Sequence, residues 1–187
     1  IAGYVLDVIG LKLGFAMFAV AWSFITMAHG LAGSWTALFW LRGLLGLAEG
    51  SANPAGMKAT SEWFPAQERG LAGGVFNIGA SFGSMLAPPL VAWAIIAHSW
   101  QTAFVLTGAL GLVWVGLWLW LYESPAKHPA LSAEERHHIV SGQEQHLQSD
   151  GTRPSIGKIL AQRNFWGIAL PRFLADPTWG TLTFWVP

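Results

Sequence analysis

Arg42 and Glu49 stand seven residues apart inside the apolar stretch 36–57, with no other charged residue between them. That spacing returns two side chains to one face of an α-helix, about 10 Å apart along its axis. An ionised side chain at bilayer depth costs at least ~2.5 kcal/mol on insertion scales, so such groups face water, a cavity or a partner. Guanidinium stays charged and grips a carboxylate through paired hydrogen bonds. A carboxylate withdrawn from water takes up a proton more readily than a solvated one. A cation that holds an anion and an acid that exchanges a proton, on one face, form the working parts of a coupled carrier. The plain alternative is a structural Arg–Glu pair that packs helices together. The two are compatible, because a pair broken by substrate or proton is itself a coupling device.

Other polar residues carry weaker signals. Asn77 and Ser81 lie four apart on one helical face and suit either a hydroxylated ligand or neighbouring helices. Arg172 and Asp176, also four apart, are spaced to pair with each other. Histidines 137, 138 and 146 invite a metal reading, yet adjacent histidines point to different faces and no third ligand is suggested. A solvated amphipathic helix accounts for them better. Nothing matches a nucleotide loop, a Ser–His–Asp set or a zinc-hydrolase pattern, so neither an enzyme, a metal nor a cofactor is expected.

The elements that must position these groups are membrane spans. Charged residues make up 11% of the chain, against roughly 25% in an ordinary soluble domain, and apolar residues 53%. Spans of about 20 mostly apolar residues are expected at 13–28, 36–57, 71–97 (bent by Pro88-Pro89), 103–122 and from 165 onward, where Arg172 and Asp176 interrupt the run. Residues 1–6 read as the tail of an earlier span. Lys and Arg alternate between links: Lys12, then Lys58 and Arg69, then Lys127 to Arg163, while 29–35 and 98–102 carry none. By the positive-inside rule the charged links are cytoplasmic. In the long link, Ser132-Ala133-Glu134-Glu135 is a capping-box pattern that starts a helix running to about Gln148, closed by Ser149-Asp150-Gly151. Ser155 is expected to cap a second helix over 156–162. The chain opens on Ile1 and closes inside an apolar run at Trp185-Val186-Pro187, so it is read as a piece of a longer protein.

Several motifs resemble the major facilitator superfamily. Gly3, Asp7, Gly10 and Lys12 resemble its loop between helices 2 and 3, which the resemblance makes a conformational lock. Val8 and Leu11 stand where basic residues are usual, so the lock would be weaker, or carried by Lys12 and Arg69. Arg42-Gly-Leu-Leu-Gly46-Leu-Ala-Glu49 is similar to helix 4 of the anion:cation symporter branch. There the arginine coordinates an organic anion and the glutamate takes part in proton coupling. Ser61-Glu-Trp-Phe-Pro65-Ala-Gln-Glu68-Arg69 resembles the loop before helix 5, its charges contacting the opposite domain; Gly79 and Gly83 form a small-xxx-small packing pair. Stretches 87–93, 98–104 and 165–179 look like bacterial hexuronate transporters.

The resemblance implies an all-α, polytopic membrane protein of twelve spans in two halves. Residues 1–122 would be the tail of span 2 through span 6, 123–164 the central cytoplasmic loop and 165–187 the start of span 7. It further implies proton symport of galacturonate or glucuronate by a monomeric carrier in a bacterial inner membrane. The partners would be a sugar acid, protons and lipid, with no nucleic acid. Arg42, Asn77, Ser81, Arg172 and Trp179 would touch substrate, Trp179 offering a flat face to a sugar ring, and Glu49 would couple the proton. Galactonate, glucarate or another organic anion remain alternative cargoes, and a non-transporting membrane sensor or scaffold is the alternative of a different class.

Overall fold

The computed structural model describes residues 2–142 and 156–185, all helix, turn or irregular chain. Its described helices are α1 (Ala2–Ile9), α2 (Leu11–His29), α3 (Trp35–Glu49), α4 (Ala52–Trp63), α5 (Arg69–Ala97), α6 (Trp100–Leu121), α7 (Ala133–Ser141), α8 (Ile156–Leu160) and α9 (Arg163–Trp185). The chain divides into two compact units, residues 1–144 and 145–187.

Local chemistry sets the helix starts. Ser34 Oγ accepts the Ala37 amide at 3.1 Å, Ser99 Oγ the Thr102 amide at 3.3 Å and Ser132 Oγ the Glu135 amide at 3.1 Å, each supplying a donor at a helix N-terminus with an acceptor. Between α1 and α2 the turn is one residue, Gly10, whose φ of 92° lies where a side chain would be strained. The lock motif is therefore mostly helix rather than loop. Gly3 and Asp7 belong to α1 and Lys12 to the first turn of α2.

Two further expectations are corrected. The expected span 36–57 is two helices, because Pro54 has no N–H and its ring crowds the carbonyl four residues back, that of Gly50. The chain breaks there, with Gly50 and Ser51 between α3 and α4. Helix α7 ends at Ser141 with Gly142 as its cap, not at Gln148. His146, Gln148, Ser149-Asp150-Gly151 and the Ser155 cap lie outside the described residues. Gly79 and Gly83 have nothing near enough to touch an added Cβ among the described residues. Helix α5 itself runs unbroken through Pro88 and Pro89.

Close packing occurs instead between α2 and α6. Ala16, Ala19 and Val115 are buried there, and a Cβ on Gly108 would fall 2.5 Å from the Ser23 carbonyl oxygen. Leu6, Leu11, Phe15 and Ala55 form a second cluster that ties α1 and α4 to α2. Outside these seams the surface is apolar: Ile96 is 86% and Trp120 79% exposed. Water would not tolerate so continuous an apolar surface, whereas lipid or further helices would. Helices α2, α5 and α6 are each long and apolar enough to cross a membrane.

Candidate functional site

The groups that could bind an anion sit beside the break in the α3–α4 segment. Leu45 and Ala48 turn inward from α3, which leaves Arg42 and Glu49 on its exposed side. Among the described residues no ion pair joins Arg42 to Glu49. Gly50 (φ −57°, ψ −8°) and Ser51 (φ −82°, ψ −19°) keep right-handed backbone, so the break is an offset rather than a reversal. Buried Ser51 donates its hydroxyl to the Ala48 carbonyl at 2.9 Å and steadies the turn.

Asn77 and Ser81 are on α5. Asn77 Nδ2 donates to the Gly73 carbonyl at 2.9 Å and Ser81 Oγ to the Asn77 carbonyl at 3.0 Å, so both bond to their own helix. Asn77 also lines a groove of about 410 Å³ between α4 and α5. The opposite wall carries Asn53, a residue that sequence reasoning placed in the span without giving it a role. In the sequence Asn53 stands beside Pro54, the residue that breaks the span, four positions after Glu49.

In the second unit, Arg172 Nε lies 3.0 Å from Asp176 Oδ2, the pairing their spacing allows. Trp179 shares with both an open depression along α9.

Most of the other described charges gather at one end of the first unit. Asp7 pairs with Lys58 at 2.5 Å, and the same ammonium donates to the Leu6 carbonyl at 3.2 Å. Lys58 thus places a cation at the C-terminal end of α1, where the helix dipole favours one. Neither Lys12 nor Arg69 holds Asp7. Past the Gly10 turn, Lys12 faces α6 and reaches Glu123 at 2.7 Å, while its carbonyl accepts from Trp118 Nε1 at 3.0 Å. Arg69 donates to the Phe64 and Ser61 carbonyls at 3.3 and 3.5 Å. Tyr122 donates to Glu62 at 2.8 Å, and burial, reinforced by that carboxylate, pushes its phenol up so that it stays protonated. Glu68, expected to reach an opposite domain, meets His138 of α7 at 3.0 Å within the same unit. All these contacts fall at the ends for which the charge pattern predicts a cytoplasmic face. The opposite end of α2 packs Gly30 against Gln101 and buries His29 against the Phe104 ring.

Lys12 holds the Glu123 carboxyl below its ordinary value. A carboxylate depressed in the folded state contributes stability above its unfolded pKa and loses it as pH falls through the folded one. Glu123→Gln should therefore lower Tm at neutral pH, and the difference from wild type should vanish well below about pH 4.3. Parallel melting curves across that range would check it; a difference that persists in acid would exclude the ion pair as its source.

Comparison with known proteins places this geometry in a family. The sequence profile of the Major Facilitator Superfamily matches residues 1–187. The chain is 57% identical over 188 positions to the galacturonate transporter of Dickeya chrysanthemi, an alignment covering 100% of this chain and 54% of that relative. It is 55% identical to the hexuronate transporter of Escherichia coli K12, covering 100% of this chain and 44% of the relative. Against the probable galactarate/D-glucarate transporter GarP of Escherichia coli K12 it is 30% identical, covering 99% and 45%. The chain spans about half the length of these curated relatives.

Proposed function

The chain belongs to the Major Facilitator Superfamily, and from that premise we propose that the complete protein imports hexuronates, galacturonate or glucuronate, by proton symport across a bacterial inner membrane. The observation that carries the reading is Arg42, a fixed cation on the exposed face of α3 with no ion pair to Glu49 among the described residues. The choice of cargo follows the relatives that share more than half of its residues, both named for uronates.

In this mechanism Arg42 takes the substrate carboxylate as a bidentate partner. Glu49, two turns along the same face, exchanges the proton, and the two halves of the complete carrier rock about a midplane site. The α3–α4 break supports the assignment, because irregular backbone at membrane depth belongs where it lines a cavity. Asp7, Lys58, Lys12 and Glu123 tie the cytoplasmic ends of α1, α2, α4 and α6 together, so the first half moves as one body. Arg172 and Trp179 remain the second half's contribution to the sugar acid.

The test is uptake of labelled galacturonate by the full-length protein in proteoliposomes with an imposed proton gradient. Accumulation above the external concentration is expected, and it should collapse when a protonophore dissipates the gradient. The 30% relative motivates a second cargo: should galactarate or glucarate be accumulated and uronates ignored, the uronate reading fails and the sugar-acid reading stands. If no sugar acid moves under either condition, the symport reading fails as well.

A further inference from the structure

The groove between α4 and α5 contains a complete recognition set for a sugar acid, separate from the Arg42–Glu49 face. Its lining includes Asn53, Thr60, Ser61, Arg69, Phe76 and Asn77. At about 410 Å³ it falls within the ordinary range for small-molecule sites. Arg69 closes its cytoplasmic end. The Phe64 and Ser61 carbonyls hold the guanidinium by Nε and one Nη2 hydrogen. Neither carbonyl neutralises the charge, and the Nη1 edge of the fork is left for a carboxylate. Asn53 and Asn77 line it from α4 and α5; Asn77 Nδ2 already donates to the Gly73 carbonyl, and its amide oxygen and second N–H suit a hydroxyl. The floor is aromatic. A Cβ on Gly56 would meet two carbons of the Phe76 ring at 3.0 Å, so that glycine lets the tip of the ring approach α4 closely. A guanidinium, two amides and the Thr60 hydroxyl thus share the groove with Met57 and Phe76, while the Ser61 hydroxyl donates to the Lys58 carbonyl.

We propose that this groove is a second sugar-acid subsite on the cytoplasmic side of the carrier, in which Arg69 takes the carboxylate and Asn53 and Asn77 take ring hydroxyls. It rests on the sugar-acid reading above and adds a release station to it. Asn53 stands four residues beyond Glu49 in the chain, just past the α3–α4 break, and lines the groove. A substrate leaving Arg42 inward would exchange one guanidinium for another and keep its hydroxyls paired on the way.

The experiment measures half-saturation from each side of the membrane, using the full-length protein in right-side-out and inside-out vesicles with galacturonate, galactonate and glucarate as probes. For whichever acid is transported, Arg69→Gln should raise the cytoplasmic-side half-saturation roughly tenfold, about what a lost charge-assisted hydrogen bond implies, and Asn53→Ala by a few-fold, about what a neutral one implies. The outer-side value should stay at wild type, which also shows that the variants are folded. Arg69→Lys, which keeps the charge, should recover most of the cytoplasmic-side affinity. If Arg69 only caps α4, Arg69→Gln will leave both half-saturations unchanged, and the subsite is overturned while uptake and its Arg42 dependence survive. Equal losses on both sides would make Arg69 a conformational contact and overturn the subsite too. If wild type takes none of the three acids from either side, the sugar-acid reading falls and the subsite falls with it.

Discussion

Arg42→Ala is expected to raise the half-saturation for the transported uronate from the outer side by roughly 100-fold, two charge-assisted hydrogen bonds at ~1.5 kcal/mol or more each. Arg42→Lys should recover only part of this, because an ammonium is a point charge and cannot present two parallel donors to a carboxylate. Glu49→Gln should behave differently. An amide keeps the size and much of the hydrogen bonding of the protonated acid but cannot release a proton. The variant should therefore exchange external for internal substrate at a near-normal rate while losing gradient-driven accumulation. Exchange and net uptake measured on one vesicle preparation separate the two roles. Should Arg42→Ala bind as wild type does, the charge at this depth has a structural use and the proposed mechanism loses its anchor.

How much of this was readable in the chain depended on the range of the interaction. The α2, α5 and α6 spans follow from runs of apolar residues, and Ser132 marks the start of α7, because the signal lies within one helix turn. The break after Glu49 was also local: Pro54 states it, but an apolar run of spanning length conceals a proline that ends one helix and opens another. The partners of the charges were not readable in this way. Asp7 could have met Lys12, five residues on, yet Gly10 turns α2 so that Lys12 faces α6, and Lys58, 51 positions away in sequence, takes its place. Ion pairs between helices are set by rotation about helix axes, a quantity that spacing along one helix does not contain. The same holds for Asn53 and Asn77, of which the sequence singles out only the second; they line one groove only once α4 and α5 pack.

The glycines carry the largest stability effect expected here. Gly79 and Gly83 have the interval of a packing motif, but no described atom lies near either. Gly108 and Gly111, at a less familiar interval, are where α6 touches α2. A Cβ on Gly108 would lie 2.3 Å from Met27 Cγ and 2.5 Å from the Ser23 carbonyl oxygen. The methionine could swing aside; the carbonyl belongs to helix backbone and cannot. On Gly111 the Cβ would meet Ser23 Oγ at 2.3 Å, a hydroxyl already committed to the Ala19 carbonyl at 2.7 Å. Gly108→Ala must therefore push the helices apart along a seam that also buries Ala16, Ala19 and Val115. Overpacking of this kind costs ~1–3 kcal/mol, against a gain of about 1 kcal/mol from replacing a mid-helix glycine by alanine. The Gly116→Ala variant has the gain without the clash, since beyond the local helix backbone no atom of the described residues lies within 4 Å of a Cβ added there. The prediction is a pair of opposite shifts in the thermal unfolding of the detergent-solubilised protein: Gly108→Ala below wild type and Gly116→Ala at or above it. Adding Met27→Ala to Gly108→Ala should restore only part of the loss, because the Ser23 carbonyl remains. If Gly108→Ala melts with Gly116→Ala, the two helices do not meet at this seam, and the first unit is packed some other way.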